Sequence, residues 1–442
     1  MNISTRIKIK RLTSVDPKTS AGLALLSLLA LSSPLMAADF SVSGESTTIV
    51  RMQTTTDDKD LYPAYEYLRM GMSGKLSDGA TLGLYMGAWG RVDLADKSTS
   101  SYTDSDLQYF YLSYKAAKNN SVVNLGRQFV TEGVAAEKID GIYARSDFAG
   151  GFGASAFIGQ PVMTDPTFEE PDLVYGGRIS HSMPKLYTIG VSALKSEADH
   201  ESKYREEEGI DLWVHPLQMV DLTGRSSYNS ITDGWMEHAY TLTLTPLTNL
   251  KISSSLNQIN YDDYYFHMTT SALNLNNGFI VPGEELLSVG FAASYTFLKD
   301  FTASADYKNY NYDIAGSADY YGGKLAYSSP DIITAGFGWH RMSGDNDRLR
   351  YNEYRLYALK KIGHFDLSAD FIDINFDKKI NDIKDSYTLT GSVGYEINRK
   401  LKIGADIDYS RNPEFDSEVK GLVKLTYLFD TKFSEGRGTS EK

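Results

Sequence analysis

Charged and hydroxyl side chains take alternate positions in many segments of this chain, and apolar side chains fill the positions between them. Residues 401–409 read Leu-Lys-Ile-Gly-Ala-Asp-Ile-Asp-Tyr, with the apolar set at the odd numbers. A period of two is typical of a β-strand that has one apolar and one polar face. Rows of charges along a polar face offer electrostatic chemistry, the kind that selects ions in a pore. Ten of these charges are our candidate site residues: Arg69, Arg91, Arg127, Arg145, Arg178, Lys251, Glu353, Arg355, Asp370 and Asp406.

The candidate residues are distributed unevenly along the chain. Those before residue 252 are all basic, whereas Glu353, Asp370 and Asp406 mix acids into the second half. Two arcs of unlike charge facing each other would create a transverse electric field. The alternative is that each charge pairs across neighbouring strands and only solvates the polar face. Both interpretations stay open at the level of sequence.

Catalytic chemistry is not indicated. The seven histidines show no metal-ligand spacing, and no Gly-x-Ser-x-Gly nucleophile elbow occurs. The chain has no cysteine, so it forms no disulfide and cannot attach c-type haem through Cys-x-x-Cys-His. We therefore expect no enzyme activity, no catalytic residue, no metal site and no cofactor.

The repeat of such strands predicts the fold class. Segments of about ten residues, in which apolar and polar residues alternate, are joined first by a tight turn and then by a longer polar loop. A bilayer cannot hydrogen-bond free backbone groups, so a sheet that enters it must close. We predict an all-β protein, a single transmembrane antiparallel β-barrel of about 20 strands (16 or 18 also fit), with short periplasmic turns and long extracellular loops. A soluble β-solenoid or sandwich with an aromatic core is the alternative.

The barrel prediction sets boundaries and partners. Residues 1–37 resemble a signal peptide, with a basic start, an apolar run over 21–31 and small residues near the cleavage point. Residues 38–429 would form the barrel, and 430–442 a periplasmic tail. The longest predicted loop covers 196–235. Loss of the five Lys/Arg and one Asp of the signal changes the formal net charge from −13 to −17, which disfavours nucleic acid. The expected location is the cell outer membrane, with membrane lipid and lipopolysaccharide as partners.

Tyrosine is frequent, at 31 residues, and many tyrosines fall near predicted strand ends. Rings with one wet end favour the interface between bilayer and water. We expect two aromatic girdles formed by Tyr65, Tyr67, Tyr187, Tyr240, Tyr261, Tyr295, Tyr307, Tyr327, Tyr354, Tyr387, Tyr395 and Tyr427.

One short stretch, Leu125-Gly126-Arg127-Gln128, resembles the strand element that leads into the constriction of Gram-negative porins. The resemblance implies that Arg127 lines the lumen near the narrowest point. Strict alternation instead puts Arg127 on the lipid side with Leu125 and Phe129, which would cost about 2–4 kcal/mol at mid-bilayer. Either the strand kinks at Gly126 or Arg127 lies at the interface, and we favour the kink. The segment after it, 132–141, is short for a constriction loop that folds inward.

Residues 64–195 and the hairpin layout resemble porin-like channel proteins of anaerobic metal- and sulfur-metabolising proteobacteria. Together with the polar stripes, this implies passive diffusion of small hydrophilic solutes or ions through a water-filled lumen, with a mild anion preference, and a homo-oligomer such as a trimer. Some barrels of that kind sheath a multihaem cytochrome in an outer-membrane electron conduit. That scaffold role, with a cytochrome partner, is the alternative function.

Overall fold

A computed structural model describes residues 40–54, 60–95, 103–162, 172–198, 201–264, 283–329 and 331–433. It is one closed antiparallel sheet of 22 long strands, more than the 20 expected. Each strand pairs with its neighbours in sequence, and the last strand pairs with the first. The predicted signal peptide lies outside the described residues, as does the end of the predicted tail from residue 434.

The strands are long enough to cross a bilayer at a tilt, since about ten residues suffice. Their bounds are β1 Phe40–Thr54, β2 Pro63–Lys75, β3 Thr81–Asp93, β4 Thr103–Lys115, β5 Val122–Glu132, β6 Ala135–Asp147, β7 Phe152–Pro161, β8 Leu173–Met183, β9 Tyr187–Ala198, β10 Glu201–Leu217, β11 Val220–Asn229, β12 Gly234–Leu247, β13 Leu250–Asn260, β14 Glu285–Phe297, β15 Phe301–Tyr312, β16 Gly316–Ser329, β17 Ile333–Gly344, β18 Arg350–Ile362, β19 Phe365–Ile380, β20 Ile383–Asn398, β21 Leu401–Asn412 and β22 Phe415–Phe433.

Short extra elements sit at the strand ends. A two-residue strand, Asp60–Leu61, pairs with the end of β1. A single helical turn, Tyr261–Tyr264, follows β13, and 3-10 turns occupy Ala149–Gly151 and Asp347–Leu349. Among the described residues, no helix has the length and hydropathy needed to span a membrane.

The two strands beyond the expected 20 come from residues 196–235, which we predicted as one long loop. There the structure has β10, β11 and the turn between them. Ile210, Leu212 and Val214 alternate with polar or amphipathic neighbours, but the acidic run Glu206 to Glu208 hides this pattern in the sequence. These acidic residues lie in the half of β10 that is next to its connection with β9. The last strand also runs four residues past the predicted end, to Phe433.

Contacts between strands that are not neighbours identify the inner face of the barrel. Ile139 of β6 lies in one buried cluster with Leu194 of β9, which is possible only on the concave side of the sheet. Cross-strand partners share a face, so the register carries this assignment around the whole barrel. The opposite face is apolar and exposed, as a bilayer requires. It includes Leu125, Ile158, Ile179, Val191, Phe291, Phe337, Leu356, Ile407 and Val423.

Most of the predicted girdle tyrosines, such as Tyr295, Tyr354 and Tyr395, lie on this outer face. Tyr65 and Tyr67 do not. Their partners Arg91 and Trp89 belong to the inner face, so the girdle prediction was wrong for these two residues. The alternation itself explains the difference, because Leu68, Met70 and Met72 occupy the lipid-facing positions of β2.

Candidate functional site

Strand β5 leaves the barrel wall at Gly126. Its pairing with β4 runs from Val122 only as far as Arg127, although the strand itself continues to Glu132. Gly126 has φ +125°, a conformation that L side chains rarely adopt, and a Cβ there would lie 2.3 Å from the carbonyl oxygen of Phe110. The chain therefore bends where only glycine fits.

A row of three glycines marks the line of this bend. Gly126 pairs with Gly141 of β6, and Gly141 pairs with Gly159 of β7. A Cβ at Gly141 would lie 2.1 Å from the carbonyl oxygen of Ile158 and 2.5 Å from the Cα of Gly159. The backbones thus approach more closely than any side chain allows. Beyond this row, residues 127–140 form what we call the inward hairpin.

The side of the inward hairpin that carries Val130 and Ile139 packs against the lumen side of the barrel wall. Val130, Ala135 and Ile139 from the hairpin form a cluster with three wall residues, Phe157, Val174 and Leu194. Ile139 is 0% exposed, and full burial of such a side chain contributes about 1.5–3 kcal/mol. An apolar core therefore lies inside the barrel and holds the hairpin down; we call these six residues the lumen core.

The tip of the inward hairpin is anchored on β9 and β10. The backbone N–H of Val134 donates to the Ser192 hydroxyl at 3.0 Å. A Cβ at Gly209 would lie 2.3 Å from Cγ1 of Val134, so the tip fits against a bare stretch of backbone. Gly133, with φ +60°, makes the turn.

Two half-buried polar contacts hold the hairpin between its tip and its middle. Arg205 of β10 donates to Glu137 of the hairpin at 2.5 Å, and it also donates to Glu207 beside it, with Nη2–Oε2 2.9 Å. The Tyr143 hydroxyl donates to Glu132 at 2.5 Å. Removing one partner of a partly buried charge pair leaves the other charge uncompensated, so such contacts specify one position for the hairpin.

The other face of the hairpin carries Arg127 toward the lumen. The Arg127 guanidinium donates twice to Asp140, with both distances 2.8 Å, and its Nη1 lies 3.8 Å from Asp106. Lys138 also binds Asp106, at 2.9 Å. Asp106 belongs to the inner face of β4, where it pairs with Trp89. The kink therefore resolves the conflict seen in the sequence, because it turns the arginine from the lipid side to the inside.

Arg127 has a structural role as well. Its Nη1 donates to the carbonyl oxygen of Leu107 at 3.2 Å. That carbonyl lies on the part of β4 that loses its β5 partner when the hairpin bends away. The guanidinium thus satisfies backbone that the kink leaves unpaired.

The register places the other nine candidate residues on the inner face as well, but they do not form one cluster. Several are neutralised by acids. Arg178 donates to both oxygens of Asp211, at 2.8 and 2.6 Å, and Arg355 does the same to Asp370, at 3.1 and 2.5 Å. Arg145 lies 3.8 Å from Asp147.

The remaining inner-face candidates have other surroundings. Glu353 accepts from the Tyr320 hydroxyl at 3.4 Å, and Arg91 pairs by register with Tyr65. Arg69 lies opposite Glu45 in the register but makes no direct ion pair, and Lys251 has no ion-pair partner within the described ranges. The predicted basic arc is therefore weaker than its residue types suggest, because its arginines are largely compensated.

The inward hairpin and the lumen core were the main features that sequence reasoning missed. The signal was present as glycine at 126, 141 and 159, but only the register shows that these glycines stand side by side. Among the residues that the structure describes, no group of three or more His, Asp or Glu could hold a metal ion.

Comparison with known proteins supports the fold. The ferric enterobactin receptor PfeA of Pseudomonas aeruginosa, solved as a double mutant, is similar with a TM-score of 0.54 at 9% identity, covering 88% of this chain and 80% of that one. OccAB4 of Acinetobacter baumannii gives a TM-score of 0.44 at 10% identity, covering 89% and 98%. OccK3 of Pseudomonas aeruginosa gives 0.42 at 10% identity, covering 89% and 96%. No family model and no curated protein matches the sequence. At such identities the likeness shows the fold alone, that of a large closed β-barrel.

Proposed function

We propose that this protein is an outer-membrane porin through which small hydrophilic solutes or ions diffuse passively. The observation that carries the proposal is a closed barrel with an apolar outer face and a polar inner face, narrowed from within by one hairpin. Barrels of this kind sit in outer membranes, with lipid and lipopolysaccharide around them.

The size of the barrel makes an internal constriction necessary for selectivity. Diameter grows with strand number, and barrels of 16–18 strands already enclose an aqueous channel. With 22 strands the passage would be wider still unless something filled part of it. The inward hairpin does so, and its fixed anchors favour a permanent narrowing over a gate.

Ion selectivity follows from the charges that remain uncompensated. The cluster of Arg127, Lys138, Asp106 and Asp140 is neutral overall, and Arg178 is balanced by Asp211. Among the candidate residues, Arg69 and Lys251 are the inner-face cations without a direct ion pair in the described ranges, and Glu45 lies opposite Arg69 in the register. We infer a mild anion preference that depends on these two residues.

Planar-bilayer recording tests the proposal. Purified, folded protein should give ohmic single-channel steps, and a salt gradient should give a reversal potential displaced toward the anion. The double substitution Arg69→Glu and Lys251→Glu should move that potential toward the cation. Lys360→Glu is the matched control, because Lys360 pairs with the lipid-facing Leu367 and so changes charge outside the lumen. Absence of any conductance would refute the porin, and equal shifts in both variants would refute the role of the two cations.

The trimer remains a prediction. The resemblance to channel proteins of metal- and sulfur-metabolising bacteria also remains a prediction. The alternative function, a barrel that sheathes a multihaem cytochrome, is likewise a prediction. The hairpin inside the lumen argues against it, because a sheath needs an open interior. Mass spectrometry of the native complex would test both: a haem protein in the complex would favour the sheath, and three copies of the chain would favour the trimer.

A further inference from the structure

Six aromatic side chains line one part of the lumen on three neighbouring strands. They belong to β2, β3 and β4, and we call them the aromatic wall: Tyr65, Tyr67, Tyr85, Trp89, Tyr109 and Tyr111. Their inner-face position follows from the register, in which Tyr67 pairs with Trp89 and Tyr111 with Tyr85.

The aromatic wall consists of two groups at different depths. Near the start of β2, Tyr65 lies 6.0 Å from Tyr67 and 6.4 Å from Trp89, measured between ring centroids. Deeper in the barrel, Tyr111 lies 5.3 Å from Tyr85 and 6.1 Å from Tyr109. In the register, Tyr85 and Tyr111 lie four residues of strand from the level of Tyr67, or about 13 Å, and Tyr109 lies two residues from it.

The rings of Tyr85 and Tyr109 lie over two glycines of β3. A Cβ at Gly87 would lie 2.2 Å from the ring of Tyr109, and a Cβ at Gly83 would lie 2.7 Å from the ring of Tyr85. Gly83 and Gly87 are buried beneath these rings, whereas Tyr85 and Tyr109 are only half-buried. The rings therefore cover the sheet on one side and present the other side to the lumen.

The inner faces of β12 and β13 show that strands of this barrel can line the lumen without aromatic rings, although Tyr320 and Tyr357 also lie on the inner face elsewhere. On β12 and β13 the inner face carries Thr241, Thr243, Ser253 and Ser255 at paired positions. Hydroxyl side chains thus suffice to line the barrel there. Large rings on β2 to β4 narrow the passage and offer stacking surfaces that a purely aqueous wall lacks.

Arg69 lies at the level of Tyr109, since both residues are opposite Gly87 in the register. It also lies two residues from Tyr67 and is exposed. Glu45 lies opposite it in the register without a direct ion pair, and the guanidinium can donate hydrogen bonds to a solute. A polar donor beside ring surfaces suits a molecule with an apolar face and a polar edge.

We propose that the aromatic wall binds solutes that carry a flat ring face with polar groups on its edge, and that it guides them through the pore. Two kinds of solute share this chemistry, a pyranose sugar and a planar aromatic compound. This inference rests on the proposed porin function, for which it names the class of solute.

Titration calorimetry on the folded protein in detergent tests the binding without need of a channel. The probes are maltohexaose for the sugar, benzyl alcohol for the aromatic compound, and sorbitol as a polyol without a ring. Binding of maltohexaose or benzyl alcohol in clear excess over sorbitol supports the proposal, and the probe that binds identifies the source. Equal or absent binding of all three overturns it.

Variants connect the binding to the wall. Tyr85→Leu and Tyr109→Leu should each weaken the affinity about two- to tenfold, since each removes one stacking ring but keeps an apolar side chain. Tyr395→Leu is the control, because that ring faces lipid. Unchanged affinity in the Tyr85 and Tyr109 variants, with folding verified by heat-dependent gel mobility, would overturn the assignment.

Bilayer recording separates this proposal from the porin function. Ohmic steps that the binding probe interrupts support both. Ohmic steps without interruption by any probe leave the porin intact and refute guidance by the wall. Ring-selective binding in detergent without conductance refutes the porin, while the wall remains a binding site.

Discussion

Replacing Ile139 by Ala should loosen the inward hairpin without opening the barrel. Ile139 is the hairpin's most buried apolar residue and packs in the lumen core with Phe157 and Leu194. The strand-to-strand hydrogen bonds of the wall do not depend on its side chain. The effect should therefore fall on the docking of the hairpin.

The size of the effect follows from the burial. An Ile→Ala change in a core costs about 2–5 kcal/mol, through lost transfer free energy and the cavity left behind. A loss of about 3 kcal/mol lowers the ratio of docked to released hairpin roughly a hundredfold. The contacts of Arg205 with Glu137 and of Val134 with Ser192 remain, so the docked state should still form but open more often.

Single-channel recording gives the readout. Ile139→Ala should show added current fluctuations and excursions to larger conductance, as the hairpin leaves the lumen. Ile142→Ala is the matched control, since Ile142 lies on the lipid-facing side of the same strand and is 45% exposed. Wild-type conductance and noise in Ile139→Ala would contradict the idea that this hairpin sets the constriction.

Two further substitutions probe the kink and the inner-face charges. Gly126→Ala should destabilise the folded barrel by about 1–3 kcal/mol or more, because φ is +125° and the new Cβ meets Phe110. The heat-modifiable band of folded protein on a gel should therefore weaken. A normal yield of that band would count against a requirement for glycine. Arg178→Met leaves Asp211 without its ion pair, so the reversal potential should shift toward the cation, and an unchanged value would show that Asp211 does not face permeating ions.

The period of two in the sequence predicted the barrel and the inner-face position of residues such as Arg355 and Asp370. It succeeded because side-chain direction in a strand is a local property. The same rule predicts the inward position of Tyr65, which we overlooked because tyrosine is common at bilayer interfaces. In that case a residue preference competed with the alternation, and the alternation was right.

The inward hairpin could not be predicted in the same way. Its docking depends on Ile139 meeting Leu194, two residues far apart in sequence, and no local pattern encodes that contact. The ion pair between Arg205 and Glu137 is equally remote. Such contacts also decide which cations are neutralised, so selectivity could not be read from residue types alone.

The junction between β1 and β22 has a consequence for how the chain could be rearranged. The two strands pair from Phe40 opposite Phe433 to Met52 opposite Gly421, and the rings of Phe40 and Phe433 stack 4.8 Å apart. A short linker could join these neighbouring points, and new termini could be cut at a tight turn such as 248–249. The folded barrel would be a circular permutant in which every strand keeps its neighbours. The strands would, however, be synthesised in a different order before the barrel closes.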